Sequence, residues 1–136
     1  MAWPCSPHAR ELQSKSFIGG QATHLTLGSR LGNMLIAFSV APSGSGASTG
    51  SVSEAVAAAV RVVRDSGLPN RTDSMFTTVE GTWDECMDVV RRACEVVGEF
   101  GPRVSLVLKA DIRPGFEGEL TAKVERLEQA LERQQD

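Results

Sequence analysis

The stretch MFTTVEGTWDECMDVV, residues 75–90, passes from one local pattern to another at a single glycine. Its first half is rich in β-branched and aromatic residues, which favour a strand. Thr82 and Glu85 then form a capping box, the signature of a helix N-terminus. The apolar residues that follow recur three or four positions apart, as in a buried helix face: Trp83, Met87, Val90, Cys94 and Val97. The stretch therefore predicts a strand that leads into a helix, with Trp83, Met87 and Val90 in the core and Gly101 and Pro102 ending the helix.

The segment MLIAFSVAP, residues 34–42, opens the ordered part of the chain. Apolar residues alternate along it and Pro42 closes it, so it predicts a strand. The loop that follows, SGSGASTG at residues 43–50, is Gly-rich and precedes a helix. Such loops can present N–H groups to an anion, but this one lacks the GK[ST] ending of a P-loop. A flexible connector is the favoured interpretation, with anion binding as the alternative.

The segment SVSEAVAAAVRVVRDSG, residues 51–67, predicts a first helix. Ser51 and Glu54 form a capping box at its start, and Gly67 is suited to end it. The next two segments, LPNRTD and SMFTTVEG, are too close together for an intervening helix. They predict a hairpin-like pair of strands.

The segment RVSLVLKADIR, residues 103–113, alternates with unusual regularity between an apolar and a more polar face. It predicts a last strand with one packed face. The segment LTAKVERLEQALERQ, residues 120–134, then predicts a third, charged helix with a narrow apolar stripe, formed by Val124, Leu127 and Leu131.

The resulting order is β-α-β-β-α-β with an extra C-terminal helix. This is an α+β chain with the order of the ferredoxin-like fold. Two helices cover one face of its four-stranded sheet and leave the other face open. Apolar groups such as Val107 and Phe76 are rarely left bare to water, so we expect an oligomer that pairs open faces or sheet edges.

Composition limits the classes of function. The chain has 136 residues, 41% hydrophobic and 23% charged, which is typical of one globular domain. A net charge of −3 and a pI near 5.4 disfavour nucleic-acid binding. No apolar run reaches the ~18 residues that cross a membrane, and no secretory signal opens the chain. Three cysteines without a CxxC pair support neither a disulfide framework nor a zinc site. We expect a cytoplasmic protein with no nucleic-acid or membrane partner.

Residues 1–33 differ from the remainder. They carry three basic residues against one acidic residue, a charge of +2, so the rest of the chain carries −5. They show no sustained apolar period and are predicted to be unstructured. An upstream start or added leader is the favoured explanation, with a targeting peptide or a functional tail as alternatives. The globular domain is predicted to span residues 34–136.

Few side chains of the globular part suit catalysis. Both histidines, His8 and His24, fall in the N-terminal segment, so a Ser-His or Cys-His nucleophile is disfavoured. Cys86 and Cys94 lie eight positions apart on one predicted helix, too far for joint metal ligation. Cys94 also falls on the apolar stripe, where core packing is the favoured role. No metal and no catalytic residue are expected.

Three segments together resemble the YkoF-like thiamine-binding protein family: SVSEAVAAAVRVVRDSGL, MFTTVEGTWDECMDVV and RVSLVLKADIR. The most specific element is the M-x-T-x-x-E-G string of Met75, Thr77, Glu80 and Gly81. The resemblance runs from about Met34 to about Arg133. It implies a ferredoxin-like fold, dimers and commonly tetramers, and binding of thiamine or its hydroxymethylpyrimidine part without catalysis. The chain departs from the family pattern at Phe76, where a smaller residue is common, and at Cys94, often a histidine.

A thiamine site needs a carboxylate or carbonyl acceptor for the amino group, hydroxyl partners for ring nitrogens and an apolar wall. Glu80, Thr77 and Thr78 offer the polar groups. In a regular strand only Thr78 shares a face with Glu80, so either the strand bulges before Gly81 or one residue is structural. The structural alternative for Glu80 is a carboxylate at the N-terminus of the second helix.

Three further residues complete the predicted site. Ser53 is a ligand contact by resemblance, with local helix capping as the alternative. Lys109 and Arg113 lie on the polar face of the last strand. Ion pairing with carboxylates such as Glu80 is favoured for them, and binding of a ligand phosphate is the alternative.

The function expected from the sequence is non-catalytic binding of thiamine or hydroxymethylpyrimidine by a carrier, buffer or sensor, with no other cofactor. A structural or regulatory oligomer module with a different small-molecule ligand is the first alternative. An enzyme acting on thiamine-like compounds is the second.

Overall fold

The computed structural model describes residues 31–44 and 49–134, with side chains in the second range described from Val52 onward. The elements follow the predicted order: β1 (Asn33–Ser43), α1 (Thr49–Asp65), β2 (Asn70–Thr72), β3 (Thr77–Thr82), α2 (Trp83–Gly98), β4 (Arg103–Ile112) and α3 (Glu119–Glu132). Residues 1–30 of the predicted N-terminal leader lie outside the described residues, and β1 already begins at Asn33, the last residue of the leader. The side chain of Ser51, and with it the first capping box, also lies outside them.

The four strands form one sheet in the order β2-β3-β1-β4, with antiparallel neighbours throughout. Together with the element order, this is the ferredoxin-like topology, and the predicted fold class is confirmed. The helices α1 and α2 pack on one face of the sheet, which we call the inner face. The core between them contains Met34, Ile36, Phe38, Val40, Ala55, Ala59, Val63, Val79, Cys86, Val89, Val90, Ala93 and Val97.

The capping box of α2 forms as the sequence predicts. The Thr82 hydroxyl accepts a hydrogen bond from the Glu85 backbone N–H at 3.4 Å, and the Glu85 carboxylate accepts one from the Thr82 N–H at 2.9 Å. The two bonds satisfy amides that the first turn of a helix leaves unpaired. The hydrogen bonds that the Glu85 carboxylate accepts from the Thr82 N–H and hydroxyl lower the pKa of Glu85. Gly67 likewise follows α1 with φ 73°, in the left-handed region that favours glycine.

Two details of α2 differ from the prediction, the burial of its first residue and the position of its C-terminal end. Trp83 is 37% exposed, because it is the first residue of α2 and projects beyond the layer that its later residues bury. Met87 is half-buried against the core and Val90 is buried. The helix ends at Gly98, before Gly101, since the backbone N–H of Phe100 bonds the Val97 carbonyl in a tighter turn.

The edge strand β4 is less buried than its alternation predicts. Val104 and Leu108 pack against the core, whereas Leu106 and Ile112 are 42% and 39% exposed. The strand lies at the side of the sheet, where the two helices reach only part of its inner face.

Cys94 packs against the core, as predicted.

The last helix, α3, crosses to the opposite face of the sheet, the outer face. Its first residues contact Glu80 of β3, and Lys123 forms an ion pair with Asp111 of β4. Val107 on this face and Leu127 on α3 are each 56% exposed, and Val124 and Leu131 are each 43% exposed. The predicted apolar stripe of α3 therefore remains largely uncovered in the single chain.

Candidate functional site

A cavity of about 170 Å³ lies between α1, the free part of β1 and the turn that joins β2 to β3. We call it the α1 cavity. Apolar residues of β1, α1 and the β2–β3 turn form its walls: Phe38, Val40, Val56, Val60, Val63, Met75 and Phe76. A cavity of about 150 Å³ is large enough to hold a benzene molecule. The α1 cavity therefore has room for one substituted aromatic ring.

Met75 gives this cavity an apolar rim. Its side chain is 75% exposed, more than any other large hydrophobic residue in the described part of the chain. Phe76, the departure from the family pattern, lines the same cavity. A large apolar side chain held in water at the mouth of an apolar pocket gains contacts when a ligand enters.

The polar groups of the cavity lie on one side of it, in and next to the β2–β3 turn. They are Thr72, Asp73, Ser74 and Thr77. The turn is closed by a 2.9 Å hydrogen bond from the Asp73 backbone N–H to the Phe76 carbonyl. The Thr77 hydroxyl donates to the Thr72 hydroxyl at 3.3 Å. Short-range bonds thus fix the backbone from which these side chains project.

Asp73 is the carboxylate of this cavity. Both the Nε and the Nη2 of Arg71 lie 3.2 Å from one of its oxygens, Oδ1. The second oxygen, Oδ2, has the lone pairs to accept from an amino group. Arg71 and Asp73 are both more than half exposed, so their ion pair contributes little to stability. Its clearer consequence is to orient the carboxylate.

Glu80 lies in a different place, on the outer face under the N-terminus of α3. Its side chain is buried, and its two carboxylate oxygens accept hydrogen bonds from the backbone N–H groups of Glu119 at 3.1 Å and Leu120 at 2.9 Å. The residue before α3 is Gly118, with φ 72° and no side chain to cap the helix. Glu80 supplies that cap from the centre of the sheet, 39 positions earlier in the chain.

The conflict between Thr77 and Glu80 is resolved without a bulge. β3 runs through Gly81 to Thr82 and pairs with β1 in unbroken register. Thr77 consequently faces the helices, while Thr78 and Glu80 face outward. The structural alternative had placed Glu80 at the N-terminus of the second helix, and this was wrong, because the carboxylate caps the third.

An ion-pair cluster surrounds the Glu80 cap. Glu119 accepts from Arg126 at 2.6 Å and from Arg113 at 3.4 Å, and the hydrogen bond from Arg126 lowers the pKa of the Glu119 carboxyl. Arg113 also stacks 3.7 Å from the centre of the Phe116 ring. Arg113 was expected to pair with carboxylates such as Glu80, and its partner is Glu119 instead.

The six residues predicted for the site are not brought together. Thr77 lines the α1 cavity, and Ser53 is exposed on α1 in an adjoining groove that shares Val56 and Val60 with it. Thr78 and Lys109 lie on the outer face on either side of Ala37, because β3 pairs Thr78 with Ala37 and β4 pairs Lys109 with Ala37. Glu80 and Arg113 hold the start of α3.

Sequence reasoning did not identify Asp73, Ser74 or Thr72 as site residues. The available signal was local: a short polar turn, TDS, directly before the motif that begins at Met75. That turn was assigned to strand ends, and nothing in its spacing showed that it would face α1.

Two cysteine thiols, Cys86 and Cys94, lie in the described part of the chain. Burial, with Glu85 and Glu80 nearby, raises the pKa of the Cys86 thiol to about 11, and burial also raises that of Cys94. A thiol with a raised pKa is a poor nucleophile at neutral pH. Within residues 31–44 and 49–134, no group of three or more His, Cys, Asp or Glu side chains is arranged to hold a metal ion. Over the same residues, no helix is both long and apolar enough to span a membrane.

Known proteins resemble this chain across the cavity and the cap. A family model described as thiamine-binding protein matches residues 36–128. A UPF0045 protein from Mycobacterium bovis is 54% identical over 100 residues, 73% of this chain and 95% of that protein. A solved hypothetical protein from Methanocaldococcus jannaschii is 30% identical, with TM-score 0.62 over 70% of this chain and 95% of its own. A Thermotoga maritima protein, for which a thiamine biosynthesis or salvage role has been proposed, shares the fold with TM-score 0.57 at 24% identity, over 68% of this chain and 98% of its own.

Proposed function

The chain belongs to the thiamine-binding protein family, as its motifs predicted, and we propose that it binds thiamine or hydroxymethylpyrimidine in the α1 cavity. Binding is non-catalytic, and the protein acts as a cytoplasmic carrier, buffer or sensor. The observation that carries this proposal is the cavity itself: one ring-sized space with apolar walls and a carboxylate and hydroxyls on one side.

The chemistry of the cavity suits an aminopyrimidine. The exocyclic amino group needs an acceptor, which the Oδ2 atom of Asp73 supplies. The ring nitrogens need donors, which the hydroxyls of Ser74 and Thr72 can supply, since Thr77 already donates its proton to Thr72. Phe38 and Phe76 offer aromatic walls to the flat ring. Each feature of the ring thus has a partner of the right type.

The remainder of thiamine fits the rim. The cavity holds about one ring, so the thiazolium is left at the mouth, beside Met75 and Asp73. A cation there is attracted by the Asp73 carboxylate. A phosphate ester would add negative charge at the same place, so we expect unphosphorylated thiamine to bind more tightly than its phosphates.

Calorimetric titration of the full chain with thiamine and with hydroxymethylpyrimidine tests the proposal. Val60→Phe fills the cavity from α1, and Val62→Phe makes the same change on the same helix outside the cavity. We expect one saturable site per chain in the wild type and in Val62→Phe, and none in Val60→Phe. Undiminished binding to Val60→Phe, or no heat with either ligand in the wild type, would contradict the proposal.

Self-association through the outer face is the second part of the proposal. Val107, Leu127 and Leu131 leave apolar area exposed beside Thr78 and Lys109, and no strand among the described residues pairs with the outer edge of β4. Such surfaces are covered in stable proteins.

The exposed apolar area of the outer face also favours the second candidate function, a structural or regulatory oligomer module with another ligand. Light scattering of the full chain is expected to give a dimer or tetramer, and a monomer at high concentration would contradict it.

A further inference from the structure

We propose that the backbone C=O of Val40 accepts a hydrogen bond from the amino group of the ligand's pyrimidine, and that its backbone N–H donates one to the adjacent ring nitrogen. This inference rests on the proposed function and adds the part of the site that gives it chemical selectivity. It concerns the main chain, which no side-chain motif reveals.

Hydrogen bonding in β3 fixes the direction of its backbone groups. The Glu80 N–H donates to the Pro69 carbonyl on the β2 side, at 2.9 Å. In an antiparallel sheet the backbone groups of successive residues point alternately to the two neighbouring strands. The backbone N–H and C=O groups of Thr78 and Glu80 therefore point toward β2, whereas those of Thr77 and Val79 point toward β1.

The β1–β3 register gives the direction of the backbone groups in β1 as well. Phe38 pairs with Thr77 and Ile36 with Val79, so these β1 residues direct their backbone groups toward β3. Val40 is the next β1 residue whose backbone groups point toward the β3 side of the sheet. β3 begins at Thr77, opposite Phe38, and so ends before it reaches Val40. Within the part of the chain that the structure describes, no backbone hydrogen bond outside the helices and strands involves Val40.

The sequence supports the same assignment independently. Pro42 is the following residue that points its backbone to this side, and proline has no N–H to donate. Proline in a strand is confined to positions where that N–H would have no partner. Pro42 is thus compatible with a β1 edge that is unpaired beyond Phe38.

Val40 is buried and lines the α1 cavity. A buried N–H and C=O without partners cost free energy, and nearly all such groups in folded proteins are paired. Both groups of one strand residue point the same way, one as donor and one as acceptor. A 4-aminopyrimidine presents the complementary pair, a ring nitrogen that accepts beside an amino group that donates.

The inferred ligand class is therefore a flat heteroaromatic ring with an amino group next to a ring nitrogen. The carbonyl of Val40 takes one amino hydrogen, and the second is left for the Asp73 carboxylate. A ring without the amino hydrogens leaves the Val40 carbonyl unpaired and binds more weakly.

Amide NMR of the full chain saturated with hydroxymethylpyrimidine tests the inference directly. The Val40 amide proton is expected to move downfield and to exchange with solvent at least about tenfold more slowly. Leu106 is the control, because the β1–β4 register directs its N–H to the free edge of β4, away from the cavity. Saturation with an unchanged Val40 amide would overturn the inference and leave the proposed function intact.

A ligand series gives a second test that needs no variant. Replacing the amino group by dimethylamino keeps the ring and removes both hydrogens. We expect affinity to fall about tenfold or more, the effect of leaving both the Val40 carbonyl and the Asp73 carboxylate without a donor. Equal affinity for the two rings would overturn the inference. Absence of saturation with every pyrimidine would instead refute the proposed function, and this inference with it.

Discussion

The Glu80 cap and the α1 cavity lie on opposite faces of one sheet and differ in how completely their polar groups are used. At the cap, both carboxylate oxygens have backbone partners, and Arg113 and Arg126 converge on Glu119. At the cavity, Asp73 has one oxygen oriented by Arg71, and hydroxyls line open space. The first arrangement holds the protein together, and the second has capacity left for a ligand.

The comparison shows that a motif residue and a ligand site can be neighbours in sequence and separate in space. Thr77 and Glu80 belong to one string, yet β3 directs them to opposite faces. The motif therefore has two effects: its start lines the cavity, and its carboxylate fixes α3 to the sheet. The following changes separate these effects.

Glu80→Ala is expected to have the largest effect, on stability. It leaves the first amides of α3 without their buried acceptor and removes a carboxylate from the positive end of the helix. The free energy of unfolding should fall by about 3 kcal/mol, measured by urea denaturation. Glu117→Gln, an exposed carboxylate just before α3, is the control and should change little. A stable Glu80→Ala protein that has lost thiamine binding would reverse the assignment of the two regions.

Asp73→Asn should act on binding rather than on stability. Losing the charged acceptor is expected to weaken thiamine binding about tenfold, as measured by calorimetry. Unfolding should be nearly unaffected, since the Arg71 pair is exposed. The matched control is Asp65→Asn, on α1 outside the cavity. Unchanged affinity in the Asp73 variant would remove Asp73 from the site.

Met75→Ala should have a smaller effect on the same site. Trimming the rim removes apolar contact with the ligand, worth about 1 kcal/mol or fivefold in affinity. Stability should not fall, because the side chain is 75% exposed. Leu127→Ala removes a comparably exposed side chain from α3 and should leave ligand affinity unchanged. Equal affinities of wild type and Met75→Ala would show that the ligand does not reach the rim.

The smallest expected effect is a pH dependence located at the cap. The folded-state pKa of Glu119 is lowered by Arg126, so its contribution to stability is complete above its ordinary pKa of 4.5. The contribution is lost as the pH falls from there through the lowered folded value. Unfolding measured at pH 7, 4.5 and 3 should show a shallower acid decline for Glu119→Gln than for the wild type and for the control Glu128→Gln. Parallel declines in all three proteins would contradict this account.

Much of the fold follows from local patterns. The alternation of Ile36, Phe38 and Val40 predicts β1, and the Thr82–Glu85 pair predicts where α2 begins, because each depends on neighbours a few positions away. Trp83 shows the limit of this reasoning. Its spacing matches the buried stripe, but its place at the first position of the helix leaves the ring partly in water.

The site was less predictable because it depends on contacts distant in sequence. Glu80 finds its partners only when α3 crosses the outer face, which no spacing within the motif reveals. The cavity forms where β3 is shorter than β1, so it depends on the lengths of two strands and on a turn without periodicity. Thr77 was identified because the family motif contains it, and Asp73 was missed because it lies just outside.

An amide chemical-shift map of the full chain titrated with hydroxymethylpyrimidine distinguishes the α1 cavity from the Glu80 cap as the ligand site. We expect the largest changes to cluster at Val40, Val56, Val60 and residues 72–77, around the α1 cavity. Changes that cluster instead at Glu80, Asp111, Arg113 and Glu119 would place the ligand at the cap and contradict this expectation.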